Sequence, residues 1–106
     1  MNRPTVLITG AASGIGKATA IRFAMEGYDV CVNDIQEEKL ADLLHILPGE
    51  NHLSITGSYA EKETIEKGKK LIKDKWKTLN ALVNCAGISG KTDLMQMNIE
   101  DRKSVV

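Results

Sequence analysis

The chain of 106 residues carries 14 basic and 14 acidic side chains, a formal net charge of zero at neutral pH. No overall field therefore recruits nucleic acid or anionic lipid, and no apolar run approaches the ~20 residues of a membrane-spanning helix. The N-terminus lacks a basic segment followed by a long apolar stretch, so the sequence predicts a cytoplasmic protein of one small domain. Cys31 and Cys85 lie far apart without Cys-x-x-Cys spacing, and with His45 and His52 they make no zinc set. Both cysteines are expected as reduced core residues and both histidines on surface or loop, with no metal bound.

Residues 4–9 (Pro-Thr-Val-Leu-Ile-Thr) are apolar and β-branched, as in a strand buried on both faces of a parallel sheet. The chain then turns toward a helix through Thr9-Gly10-Ala11-Ala12-Ser13-Gly14-Ile15-Gly16-Lys17. Glycines let a backbone turn sharply, adopt positive φ and approach a ligand with no Cβ in the way. A helix opening near Gly14 aims unpaired N–H groups and the positive end of its dipole at an anion. The diphosphate of a dinucleotide meets that demand. The P-loop alternative fails at Ala11, where that motif has glycine, and at Ala18, where it has Ser or Thr after the lysine. A glycine-rich turn with no ligand is the remaining alternative that the motif alone allows.

The next run, 15–26, reads as a helix with Ala18, Ile21 and Met25, flanked by Ala24, on its buried stripe, and Gly27 stops it. A second strand, 28–34, ends on Asp34, about twenty residues after the glycine turn. A carboxylate there accepts hydrogen bonds from adenosine ribose hydroxyls and repels a 2′-phosphate, which favours NAD over NADP. Asp34 could also cap the helix that follows, and the two roles are compatible. That helix, 36–47, carries Leu40, Leu43, Leu44 and Leu47 and ends at Pro48-Gly49. Residues 52–57 alternate as a third strand. The run 61–78 is an amphipathic helix with Ile65, Gly68, Ile72, Trp76 and Leu79 in one stripe and Leu71 beside it. Its lysines read as a solvated face supported by the pairs Glu63–Lys67 and Glu66–Lys70. Residues 80–87 form a fourth strand ending in a small-residue turn. Strand and helix alternate throughout, which is the signature of a parallel α/β fold.

Three motifs stand in order: Thr-Gly-x-x-x-Gly-Ile-Gly at 9–16, Asp34 at the end of the second strand, and Asn84-Cys85-Ala86-Gly87 after the fourth. Together they resemble the short-chain dehydrogenase/reductase family over nearly the whole chain. The resemblance implies a Rossmann-like, doubly wound parallel sheet with strand order 3-2-1-4. Residues 1–106 would be a single NAD(P)-binding domain, truncated after about four strands. It further implies that Gly10, Ser13, Gly14, Ile15 and Gly16 surround the pyrophosphate, Asp34 and Ile35 the adenosine ribose, and Asn84, Ala86 and Gly87 the nucleoside. Ser58, followed by Tyr59, aligns where the family commonly has Asp beside the adenine. Members preferring NADP often carry a basic residue at the positions of Ser13 or Ile35, so both residues favour NAD. Cys85 replaces the second Asn of the family's Asn-Asn-Ala-Gly.

In the family, hydride transfer rests on a Ser, a Tyr-x-x-x-Lys pair and an Asn on later elements. Here Tyr28 and Tyr59 are followed four residues on by Val32 and Glu63, so no catalytic residue is assigned within the chain. The expected function is the NAD-binding portion of an oxidoreductase acting on a small alcohol or carbonyl, homo-oligomeric in full-length form. The alternative is a non-catalytic nucleotide-binding or interaction module that is a natural truncation. Residues 98–101 resemble the capped start of a further helix, cut short at Val106. A fourth strand left as a bare edge predicts marginal stability or self-association for the isolated chain.

Overall fold

Five consecutive buried residues, Thr5 to Thr9, form β1 (Thr5–Thr9), which is the centre of the molecule. The computed structural model describes residues 3–12 and 14–85. In chain order β1 is followed by α1 (Gly14–Met25), β2 (Asp29–Asp34), α2 (Glu37–Ile46), β3 (Leu53–Thr56), α3 (Lys62–Lys75) and β4 (Ala81–Asn84). All pairings are parallel and the sheet order is β3-β2-β1-β4. The helix start anticipated at 98–101 lies outside the described residues.

Alternation along the strands divides the core in two. Val6 and Ile8 of β1, Val30 and Val32 of β2 and Val83 of β4 pack with Ala20 and Ala24 of α1 and Leu40 and Leu43 of α2. Leu7, Cys31 and Ile55 face the opposite way and meet Ile72 of α3, with Leu71, Trp76, Leu79 and Leu82 packed around them. The chain winds from β1 outward to β3 and then returns past β1 to β4. Right-handed crossovers place the connecting helices on opposite faces when the winding reverses.

The face that α1 buries overlaps the expected stripe at Ala24, which is buried, and at Ile21, which packs against the core, and departs from it elsewhere. Gly16, Ala20 and Ala24 are buried, Ala18 is exposed and Met25 is 66% exposed. Small and apolar residues recur on several sides of this helix between Lys17, Thr19 and Arg22, so periodicity alone leaves its rotation loosely defined. Its orientation is set at Gly16, where an added Cβ would lie 1.9 Å from the Gly10 carbonyl oxygen. Only glycine permits that contact between helix and turn. On α3 the lysines are exposed as expected, but the pairing is different. Lys70 meets Asp74 at 3.7 Å, and Lys67 Nζ donates to the Thr56 carbonyl at 3.1 Å.

Candidate functional site

Because the strands are parallel, Thr9, Asp34, Thr56 and Asn84 all lie at one edge, Thr9 in register with Asn33 and Asn84, and Asp34 with Thr56. The winding reverses between β1 and β4, and such a switch point opens a crevice at the carboxyl ends of the strands. The glycine turn leaves β1 directly into it.

Two glycines of the turn take left-handed backbone, Gly10 at φ 69° and Gly14 at φ 59°. At Gly14 a Cβ would meet nothing within 4 Å, so the first turn of α1 begins in open space. Its leading amides have no partner within the helix, and with the dipole they form a donor set for an anion. Ile15 is half-buried against the α1/α2 core, and its carbonyl accepts the Thr19 hydroxyl at 2.7 Å. Ser13, Ala86 and Gly87 lie outside the described residues.

Asp34 is half-buried at the end of β2, and its carboxylate joins two loops. Oδ2 accepts the Ala12 N–H at 3.0 Å, within the glycine turn, and Oδ1 accepts the N–H groups of Ile35 at 2.7 Å and Gln36 at 3.2 Å. The N-cap position of α2 is Gln36, so Asp34 supports the approach to that helix from two residues before it. Oδ2 takes a single donor among these bonds and keeps a lone pair for a further one. Ile35 is 67% exposed beside it.

Across the switch point the Thr9 hydroxyl donates to Asn84 Oδ1 at 2.7 Å, fastening β4 to β1 at the site. Cys85 follows, its amide donating to the Thr9 carbonyl at 3.0 Å. Burial pushes the Cys85 thiol up, and a hydrogen bond with Thr19 of α1 opposes that shift. Both cysteines are buried thiols, and neither forms a disulfide.

At the β3 end, Ser58 Oγ accepts the Ala60 N–H at 3.2 Å. Tyr59 commits its ring to the α3-side core, where its hydroxyl oxygen would lie 2.4 Å from a Cβ on Gly68. Burial, and then the nearby Cys31 sulfur, push the Tyr59 hydroxyl up from its ordinary range. Tyr28 stacks edge-on against Phe23 with centroids 4.7 Å apart. Both tyrosines are thus packing residues in this part of the molecule.

A further residue of the site, which no motif marks, is Asn33, 2% exposed. Its side-chain amide donates to the carbonyls of Ile55 at 2.9 Å and Gly57 at 3.0 Å. Its own carbonyl accepts the Ala11 N–H at 2.9 Å. The available signal was a polar residue directly following the apolar run Val30-Cys31-Val32 of a buried strand.

A second concavity, of about 730 Å³, opens at the opposite, amino-terminal edge of the sheet between Arg3, Asp29, His52, Trp76 and Lys77. Its polar groups engage one another. Arg3 Nε donates to Asp29 at 3.0 Å, and Trp76 Nε1 donates to the Asn51 carbonyl at 3.2 Å. His52 Nδ1 accepts the Val30 N–H at 2.9 Å, which leaves Nε2 to donate to the Pro48 carbonyl at 2.6 Å. Among the described residues no cluster of His, Cys, Asp and Glu could hold a metal ion, and no helix is long and apolar enough to cross a membrane.

A parallel sheet of order 3-2-1-4 with helices on both faces, reversing beside a glycine turn, defines a Rossmann-like protein. Within that class, the chain belongs to the short chain dehydrogenase family, whose model matches residues 4–106. It is 42% identical over 106 residues to the 3-oxoacyl-(acyl-carrier-protein) reductase FabG of Thermotoga maritima, covering 94% of this chain and 42% of that protein. To the glucose 1-dehydrogenase of Gluconobacter oxydans it is 36% identical over 107 residues, covering 95% of this chain and 39% of the relative. The crystal structure of L-sorbose reductase from Gluconobacter frateurii, complexed with NADPH and L-sorbose, superposes with a TM-score of 0.78 at 26% identity. That match covers 95% of this chain and 40% of the reductase. The chain therefore spans about two fifths of the length of these relatives and corresponds to the family's N-terminal part.

Proposed function

We propose that this chain is the NAD-binding portion of an oxidoreductase that moves hydride between a nicotinamide and a small alcohol or carbonyl compound. The observation that carries the proposal is the convergence of the glycine turn and Asp34 on one edge, tied together by the Ala12 N–H to Asp34 bond of 3.0 Å. In this reading the amides of the turn and of the first turn of α1 bind the diphosphate. Asp34 accepts the ribose hydroxyls, exposed Ile35 flanks them, and the Ser58–Tyr59 loop faces the adenine. Asn84, with Ala86 and Gly87 after it, lines the nucleoside. The bound cofactor supplies the hydride chemistry, and these residues contribute binding and orientation.

Preference for NAD follows from charge, since a 2′-phosphate would sit against the Asp34 carboxylate with no cation at Ile35 to receive it. Titration with NADH and NADPH tests this directly. NADH is expected to bind more tightly, and Asp34→Ala to weaken it roughly ten- to a hundredfold through loss of charge-assisted hydrogen bonds, narrowing the gap between the cofactors. Equal affinity for the two in the unsubstituted protein, unaltered in Asp34→Ala, would refute the role given to Asp34.

A further inference from the structure

We infer that Asn33 is a positioning residue of the cofactor site: it holds the loop leaving β3 in place and, through that loop, the surface offered to the adenine. The inference rests on the function proposed above and extends it to a residue that touches no ligand.

Asn33 is enclosed, at 2% exposure, and both hydrogens of its side-chain amide are used, one on the carbonyl of Ile55 within β3 and one on Gly57 just beyond it. Gly57 has φ 133°, a conformation that L side chains rarely adopt, so the chain leaves β3 through a bend. Two bonds from β2 hold that bend, since the Gly57 N–H also donates to the Asp34 carbonyl at 2.9 Å. Ser58 and Tyr59 follow immediately. On its other side the Asn33 carbonyl accepts from Ala11, in the glycine turn. Asn33 thus connects the loop assigned to the base with the turn assigned to the diphosphate. An apolar residue of equal size would fill the volume yet leave two carbonyls without their donors.

The test compares the protein with Asn33→Asp, which keeps the shape but leaves at most one of the two donors, and with Asn33→Ala. Amide hydrogen exchange without cofactor is expected to accelerate about tenfold or more at Gly57, Ala60 and Glu61 in both variants, and less at Leu7 and Ile8 of β1. Affinity for NADH is expected to fall about tenfold. Nicotinamide hypoxanthine dinucleotide in reduced form, which differs only in the base, should lose less, so that the ratio of the two affinities moves toward one. Uniform acceleration of exchange, equal weakening of both dinucleotides, or an Asn33→Asp variant that binds NADH like the parent would overturn the inference while leaving the proposed function standing. Failure of the unsubstituted protein to bind NADH would overturn that function, and this inference with it.

Discussion

Two glycines two residues apart in the first turn are required for different physical reasons. Gly14 has positive φ and empty space around its Cβ position, whereas Gly16 would drive a Cβ into the Gly10 carbonyl at 1.9 Å. Gly14→Ala is therefore expected to cost roughly 1–2 kcal/mol, the penalty of left-handed backbone in an L residue. Gly16→Ala should cost about 3 kcal/mol or more, because backbone atoms must move apart to admit the methyl group. Urea denaturation of the two variants checks the order, and a larger loss at Gly14 would contradict it. The spacing of these glycines was readable in the sequence, but which of them meets backbone was not. Asp34 was legible from its distance to the turn. Its bond to Ala12 was not, because that bond joins residues 22 apart in the chain. Asn33 was not legible, because no short motif marks a side chain that bonds a carbonyl of another strand and one just beyond it.

The helices show how far periodicity reaches. On α2 the leucine spacing is unambiguous, and Leu40, Leu43 and Leu47 are buried with Leu44 half-buried beside them. On α3 the stripe was right at Gly68 and Ile72, and Thr64 joins them as a buried polar member. On α1 small and apolar residues recur on several sides between Lys17, Thr19 and Arg22, and the contact of Gly16 with the turn decides the rotation. Gly68 gives a useful contrast with Gly16. A Cβ there would meet Tyr59 Oη at 2.4 Å and Ile55 Cδ1 at 2.9 Å, both the far ends of side chains. Alanine gains about 1 kcal/mol of helix propensity, while pushing such atoms aside costs about 0.5–1.5 kcal/mol. Thermal and urea unfolding of Gly68→Ala should therefore agree with the parent within about 1 kcal/mol. A loss as large as that of Gly16→Ala would mean that Tyr59 and Ile55 cannot yield.

Across the molecule the sheet separates two cores, and the α3-side core contains a thiol. Cys31 is fully buried, and burial alone pushes its thiol far up. The folded chain therefore keeps this proton at pH values where the unfolded chain releases it, above about 8.5. Stability is fully present at neutral pH and falls as the solution becomes alkaline, by about 1.4 kcal/mol per pH unit for one such group. Cys85, also shifted up, acts in the same direction over the same alkaline range, and Tyr59 does so from about pH 10. Denaturation under reducing conditions between neutral pH and pH about 10.5 should show this decline, with a shallower slope in Cys31→Ala. An equal slope in that variant would assign the alkaline loss to other groups.

The amino-acid sequence by itself determined the alternation of strand and helix, the apolar strands, the glycine spacing and the acidic end of β2. These are properties of residue type and short-range order, and they sufficed for fold class and family. Only the tertiary structure decided the rotation of α1, the pairing of Lys67 with the Thr56 carbonyl, the packing of the half-buried Tyr59 against the α3-side core and the junction at Asn33. Each depends on a contact between distant segments, where one atom's steric limit or one unmet carbonyl selects among arrangements that local propensity leaves equivalent.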